Sequence, residues 1–181
     1  MNQELLYHPY YVSDPDSCLD IPQDVPKMVY YNFGDTFSIE FDIRVYELPS
    51  EVLSAFRFSA TDGNGDAHGD NIPAVFVNQE GQIQIVTSLN DYPSYSTNFE
   101  YVEGRVHHVN INQLKKNDGY FYEIIIDGNS IVEEQNKKAK SYPTVNLYTR
   151  LSKIQGSLSH HHTIICHAHL VPFKKTFFPP L

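Results

Sequence analysis

The sequence predicts an all-β fold of two antiparallel sheets packed face to face, and three observations predict it. Apolar and polar residues alternate over short runs, most cleanly from Thr36 to Tyr46, which is the period of a strand with one buried face. The 11 Pro and 9 Gly fall mostly between those runs, where a strand-rich chain needs its turns. No stretch carries a helical period long enough to pack. The nearest to one, EEQNKKAK at 133–140, is short and polar and reads as a loop or a single turn.

Taken in order, residues 1–27 contain Pro9, Pro15, Pro22 and Pro26 and read as an extended lead-in with room for one edge strand. Thr36 to Tyr46 sets Phe37, Ile39, Phe41, Ile43 and Val45 on one face. The other face takes Ser38, Glu40, Asp42, Arg44 and Tyr46. Leu53 to Ala60, Ala74 to Asn78 and Gln82 to Ser88 read as three further strands, with Glu80-Gly81 in the hairpin between the last two. Arg105 to Leu114 alternates Val109 and Ile111 with Asn110 and Asn112, and a loop over 115–119 returns the chain into a strand from Tyr120 to Asp127. Asp127-Gly128 is a two-residue turn of the hairpin kind, leading into Ser130 to Glu134. Val145 to Thr149 and Thr163 to Val171 complete the strands, and the tail FKKTFFPPL reads as extended. No repeat or linker divides the chain, so one domain over residues 1–181 is expected.

Composition narrows the function. The formal net charge is −9, which argues against a nucleic-acid footprint. No apolar run approaches the roughly 20 residues that span a bilayer. The start, MNQELLYHPYYVSDPDSC, lacks the basic and apolar regions of a signal peptide. It suits either a mature segment of a secreted protein or an intracellular chain.

Two clusters invite metal chemistry. Asp62 to Asp70 is rich in oxygen-bearing side chains and glycine, and calcium takes six to eight oxygens. Asp62, Asn64 and Asp66 match the first half of an EF-hand loop, but Ala67 stands where its glycine belongs and Pro73 where its glutamate belongs. An EF-hand is excluded; another calcium site and an unoccupied Asx-rich turn remain. The histidines His160, His161 and His162, followed by His167 and His169, form the second cluster. On a strand the last two share a face and could hold zinc, although a polar turn followed by a solvent-facing strand is the simpler reading.

Catalytic patterns fail. Glu40 and Asp42 alternate as the carboxylates of sandwich-type glycoside hydrolases do, but the third carboxylate of those patterns falls on Arg44 or Val45. There is no Trp for sugar stacking and no Gly-x-Ser-x-Gly elbow. The chain is expected to be no enzyme.

Three fragments then resemble the laminin-G-like, concanavalin-A-like jelly roll. GDNIPAVFV at 69–77 leading to Gly81-Gln82-Ile83 is similar to that family's "GD, strand, G, strand" segment. GRVHHV at 104–109 is similar to its "G-x-W-H-H-V", with Val106 in place of Trp, and YEIIIDG at 122–128 to the strand ending in "DG". The resemblance implies a two-sheet jelly-roll sandwich and accounts for His107 and His108 as structural residues. It implies a rim calcium ligand at Asp70 alone; Asp62, Asn64 and Asp66 are candidate companions from the loop's own composition. In a jelly roll the first and last strands commonly lie side by side, so Cys18 and Cys166 could pair. Such a bond would remove about 4–5 kcal/mol of unfolded-chain entropy; two unrelated thiols are the alternative. The function implied is a non-catalytic extracellular recognition or adhesion module for a glycan or protein partner, with calcium as a candidate cofactor. Tyr92, Tyr95 and Tyr101, in the Tyr-rich segment 90–101, are its candidate contacts, since tyrosine offers area and a polar tip at low entropy cost. A matrix or self-assembly domain is the runner-up, and an enzyme of unfamiliar arrangement a third class.

Overall fold

The computed structural model describes residues 28–61, 67–149 and 164–170. These form eleven strands: β1 Met28–Phe33, β2 Phe37–Val45, β3 Leu53–Ser59, β4 Ala74–Val77, β5 Gln82–Leu89, β6 Tyr92–Glu100, β7 Val106–Lys116, β8 Gly119–Ile126, β9 Asn129–Gln135, β10 Tyr142–Thr149 and β11 Ile164–Leu170. One sheet has the order β1-β10-β3-β4-β5-β6 and the other β11-β2-β7-β8-β9. Neighbours run antiparallel throughout. The sandwich expected from the alternating pattern is the observed architecture.

The strand β2 lies inside the five-stranded sheet, and its odd-numbered residues from Phe37 to Val45 are all buried. Phe41 meets Phe56 of β3 across the two sheets, edge to face, with ring centroids 5.0 Å apart. Ile39, Ile43, Val109, Ile111 and Ile124 from one sheet and Val75, Val77, Ile83 and Ile85 from the other complete the cluster. Burying each such side chain stabilises the fold by about 1.5–3 kcal/mol.

The Asp127-Gly128 turn forms as expected. Both residues have positive φ, 50° and 82°, as a type I′ hairpin requires, and Ile126 pairs with Asn129 across it. The β7–β8 connection is tighter than expected, since Lys116 already pairs with Gly119.

Three segments depart from expectation. Met28–Phe33 is a strand paired with β10; its run MVYYNF lacks the alternation that marks a half-buried strand. The Tyr-rich segment is also a strand, β6, paired with β5, because its odd positions Tyr95, Thr97 and Phe99 turn inward while serines and asparagine face out. The stretch 133–140 divides, with Glu133 to Gln135 ending β9 and only the remainder in a connection.

Candidate ligand-binding rim

The rim site is assembled from connections far apart in the chain. His68 to Asp70 lie between β3 and β4, Asn90 and Asp91 between β5 and β6, and Asn136 to Lys140 between β9 and β10. Of these, His68, Asn136 and residues 138–140 line a shallow cleft of about 260 Å³, counting the solvent over it, together with Ile72 and residues of β2, β5, β7 and β10; Asn90 and Asp91 brace it from outside.

Gly69 is the hinge of the first connection. Its φ is +104°, and a Cβ there would stand 3.2 Å from Tyr142 Cε1, so both the backbone and the space require glycine. Its N–H donates to Ser88 Oγ at 2.9 Å and its carbonyl accepts from the Ala60 N–H at 2.9 Å. Asp70 is 1% exposed. Its Oδ2 accepts from the Ala67 N–H at 2.9 Å and its Oδ1 from the Thr61 hydroxyl, so the carboxylate closes the base of the loop.

The other two connections are bound together by asparagines. Asn90, at φ 55°, donates its Nδ2 to the Gln135 carbonyl at 2.9 Å and accepts the Lys137 N–H on Oδ1 at 2.7 Å. Asn136 is buried; it donates to Gln113 Oε1 at 2.6 Å and accepts the Lys138 N–H at 3.1 Å. Gln113 in turn donates to the Asp35 carbonyl at 2.7 Å. Satisfied buried amides of this kind hold a polar rim rigid.

His68 is the reactive feature of the cleft. Its Nε2 lies 3.2 Å from the Asn90 carbonyl. A carbonyl only accepts, so Nε2 carries the hydrogen and Nδ1 is left as an acceptor. That Nδ1 is buried and has no partner among the described residues. Burial first, and the Lys140 ammonium next, hold the imidazole below its ordinary pKa of 6.5, so it is neutral at pH 7. Lys140 lies over the Tyr142 ring, 5.1 Å from the centroid. Burial pushes the Tyr142 phenol up to about 12. Lys138 is paired with Asp91, and no carboxylate lines the cleft.

The residues expected from sequence fall in different places. Asp70 is at the rim but turned into its own loop; Asp62, Asn64 and Asp66 lie outside the described residues. Among the described residues no three His, Cys, Asp or Glu side chains group as metal ligands. The three tyrosines do not share a surface. Tyr92 is 66% exposed on β6, whereas Tyr95 packs on the core from the opposite face of that strand. Tyr101 also packs against the core, with its hydroxyl buried. Cys18 lies outside the described residues, and Cys166 stands on β11 opposite Ile43.

His107 is buried as the resemblance implied. Its Nε2 accepts the Val102 N–H at 3.2 Å, and its Nδ1–H donates to Asp127 Oδ2 at 2.9 Å. The same carboxylate takes the His108 N–H at 2.9 Å and Arg105 Nη2 at 3.1 Å. The "GRVHHV" and "DG" fragments are thus two halves of one hydrogen-bonded corner. Sequence reasoning passed over His68, Asn90, Asn136 and Lys140; the one local signal was asparagine next to a turn, which marks a left-handed residue and not a ligand.

No protein-family model matches the sequence, and no curated protein matches it. Among solved structures, the chain is similar to the carbohydrate-binding module CBM40 of a Ruminococcus gnavus IT-sialidase bound to α2,3-sialyllactose. Identity is 14%, coverage 77% of this chain and 79% of that one, and the TM-score 0.48. It is also similar to botulinum neurotoxin type C, whose cell entry depends on interaction with two ganglioside molecules, at 14% identity over 74% of this chain and 31% of that one, TM-score 0.45. A Trypanosoma rangeli sialidase in complex with 2,3-difluorosialic acid matches at 12% identity over 75% of this chain and 20% of that one, TM-score 0.49. The chain spans a third or less of the toxin and of the trypanosomal sialidase. Identities this low and TM-scores below 0.5 leave function to be argued from the rim.

Proposed function

We propose that this chain is a non-catalytic recognition module that binds a hydroxyl-rich glycan at the rim cleft. The observation that carries the proposal is His68 Nδ1, a buried acceptor on a neutral imidazole without a partner among the described residues. A sugar hydroxyl donates to such an atom, and a buried acceptor left unmet costs about 1–3 kcal/mol. Lys140 and the rim of Tyr142 add a cation and an aromatic edge beside it, so an acidic sugar suits the cleft best. The cleft is shallow, and most of its volume is open to solvent, so it is no enclosed small-molecule pocket. A sugar ring rests over so shallow a cleft instead of sinking into it, and a millimolar Kd, about −4.1 kcal/mol, is the expected scale. We place the module outside the cell as part of the same proposal and assign calcium no role in it.

A glycan array followed by NMR titration tests this. Binding should weaken at least tenfold in His68→Ala and in Lys140→Ala and stay unchanged in Tyr92→Ala. An empty array, or a glycan whose affinity ignores His68, would sink the proposal. The second reading, self-association, is favoured by the nine-residue β6, which has no partner on its outer edge among the described residues. Mass rising with concentration in light scattering would support that reading instead.

A further inference from the structure

Among the described strands, β1 and β6 close the two ends of the six-stranded sheet, and β9 closes one end of the other. An outer strand offers unpaired backbone N–H and carbonyl groups to any second strand, and is ordinarily blunted by charge, shortness or a bulge. β9 carries Glu133 and Glu134. β1 is six residues long and holds Asn32 in the left-handed region at φ 57°, a conformation that disrupts a ladder. β6 runs nine residues with no charge from Tyr92 to Phe99, in a chain of net charge −9. Its one proline, Pro93, stands at the start of the strand.

The ladder fixes which backbone groups of β6 are left over. Residues of an antiparallel strand alternate, one bonded to the neighbour and the next turned away from it. The Tyr101 N–H donates to the Gly81 carbonyl at 3.3 Å, and Phe99, Thr97 and Tyr95 follow in register opposite Ile83, Ile85 and Thr87. The even residues of β5 turn the other way: the Ser88 N–H donates to the Asn71 carbonyl and the Gln82 carbonyl accepts the Asn78 N–H, both at 2.9 Å. The odd residues of β6 therefore bond to β5, and Ser96 and Asn98 direct N–H and carbonyl along the outer edge. The inner face is left open there as well. Ile83 and Ile85 of β5 are 0% and 1% exposed, whereas Tyr95 and Phe99 of β6 are only partly buried against the same core.

We propose that a second copy of this chain occupies this edge, its β6 antiparallel to the first about a two-fold axis at Ser96. The inference rests on the self-association reading above and specifies its surface. Ser96 of each copy exchanges N–H and carbonyl bonds with Ser96 of the other, and the two six-stranded sheets become one. Tyr95 lies opposite Thr97 of the second copy, so each inner face gains cover along its open side. Asn98 lies opposite Ser94. The axis sets each Glu100 across from Tyr92 of the other copy, so two acidic chains meet without like charges facing each other. One pair of strands about 30 Å long is a small interface, and the dimer is weak and concentration-dependent.

Sedimentation velocity of the full chain across concentration, with residue-resolved hydrogen exchange by NMR, tests the dimer. A monomer–dimer equilibrium should appear. In the dilute chain the Ser96 and Asn98 amides should exchange freely while those of Tyr95, Thr97 and Phe99 are protected. At dimer-forming concentration Ser96 and Asn98 should become protected too. Ser96→Pro removes one edge N–H from each copy and leaves the ladder to β5 intact, so it should weaken dimerisation at least about tenfold with the fold retained. Ser96→Lys opposes two cations across the axis; it should weaken the dimer, recover it with added salt, and serve if Ser96→Pro melts early. Slow exchange of Ser96 and Asn98 in the dilute chain would mean that a segment of this chain already covers the edge, and overturns the proposal. A dimer indifferent to both Ser96 variants overturns it while sparing self-association through another surface. A chain monomeric throughout overturns both.

Discussion

Replacing Asp127 with alanine removes one acceptor that three donors share. The His107 Nδ1–H, on a side chain only 6% exposed, would be left without a partner at a cost of about 1–3 kcal/mol. The His108 N–H is exposed to water once freed, which limits its loss to about 0.5–1.5 kcal/mol. Arg105 is 57% exposed, and its ion pair contributes at most about 1 kcal/mol. Alanine must also take the left-handed φ of 50°, for a further 1–2 kcal/mol or so. Together these predict a loss of about 2.5–7.5 kcal/mol, read as a lower urea midpoint at pH 7 with an unchanged slope. Asp127→Asn should lose less than half as much, since asparagine accepts the left-handed turn and keeps one acceptor oxygen. The pH dependence gives an independent handle. Burial works to raise the Asp127 carboxyl, but the hydrogen bond from the His108 N–H, with His107 and Arg105, outweighs it and holds the group below its ordinary 3.8. The folded state then binds this proton less readily than the unfolded chain. Its contribution is complete above that ordinary value and is lost as pH falls through the lowered one, and Asp127→Asn should flatten that acid limb. Stability of Asp127→Ala within about 0.5 kcal/mol of the parent would refute the reasoning.

Three further outcomes are expected. Phe41→Ala, which empties the space against Phe56, should cost about 3–5 kcal/mol in urea unfolding; a loss below 1 kcal/mol or so would mean that the sheets do not meet there. Gly104→Ala, at φ +71° with open space around it, should cost only the strain of about 1–2 kcal/mol, whereas Gly69→Ala also drives a Cβ against Tyr142. Urea midpoints should rank Gly69→Ala lower, and equal midpoints would contradict the crowding. Burial lifts the Tyr142 phenol to about 12, so the unfolded chain releases this proton first as pH rises. Stability should be intact below about pH 10 and decline toward 12. Tyr142→Phe should flatten that limb and remove one late-titrating phenol from the absorbance titration; an alkaline limb identical to the parent's would count against it.

Local chemistry made much of this fold legible. The alternation from Phe37 to Val45 was enough to name the buried face of β2, because side chains on a strand repeat every two residues and one face here meets a second sheet. Asp127-Gly128 announced its hairpin because few residue pairs accept positive φ at both turn positions. Tyr92 to Glu100 was legible as a surface and not as a strand: its inward residues are tyrosine, threonine and one phenylalanine, too mixed for the pattern to declare itself. Met28–Phe33 was missed for the related reason that Tyr30 and Tyr31 blur the contrast between faces.

The rim cleft could not be read in this way. The cleft joins His68 and Asn136, residues of connections, with Tyr142 at the start of β10 and Asn90 behind them, and these meet only when the two sheets close on each other. The acceptor character of His68 Nδ1 depends on a carbonyl 22 residues away. The contact of His108 with Asp42 spans more of the chain still, since the two lie 66 residues apart and meet only through the pairing of β2 with β7. The amino-acid order thus settles which face of each strand is apolar and where the chain can turn, because both depend on neighbours a few residues apart. Which polar side chains stand together is set by strand pairing and sheet packing, whose partners no local period encodes.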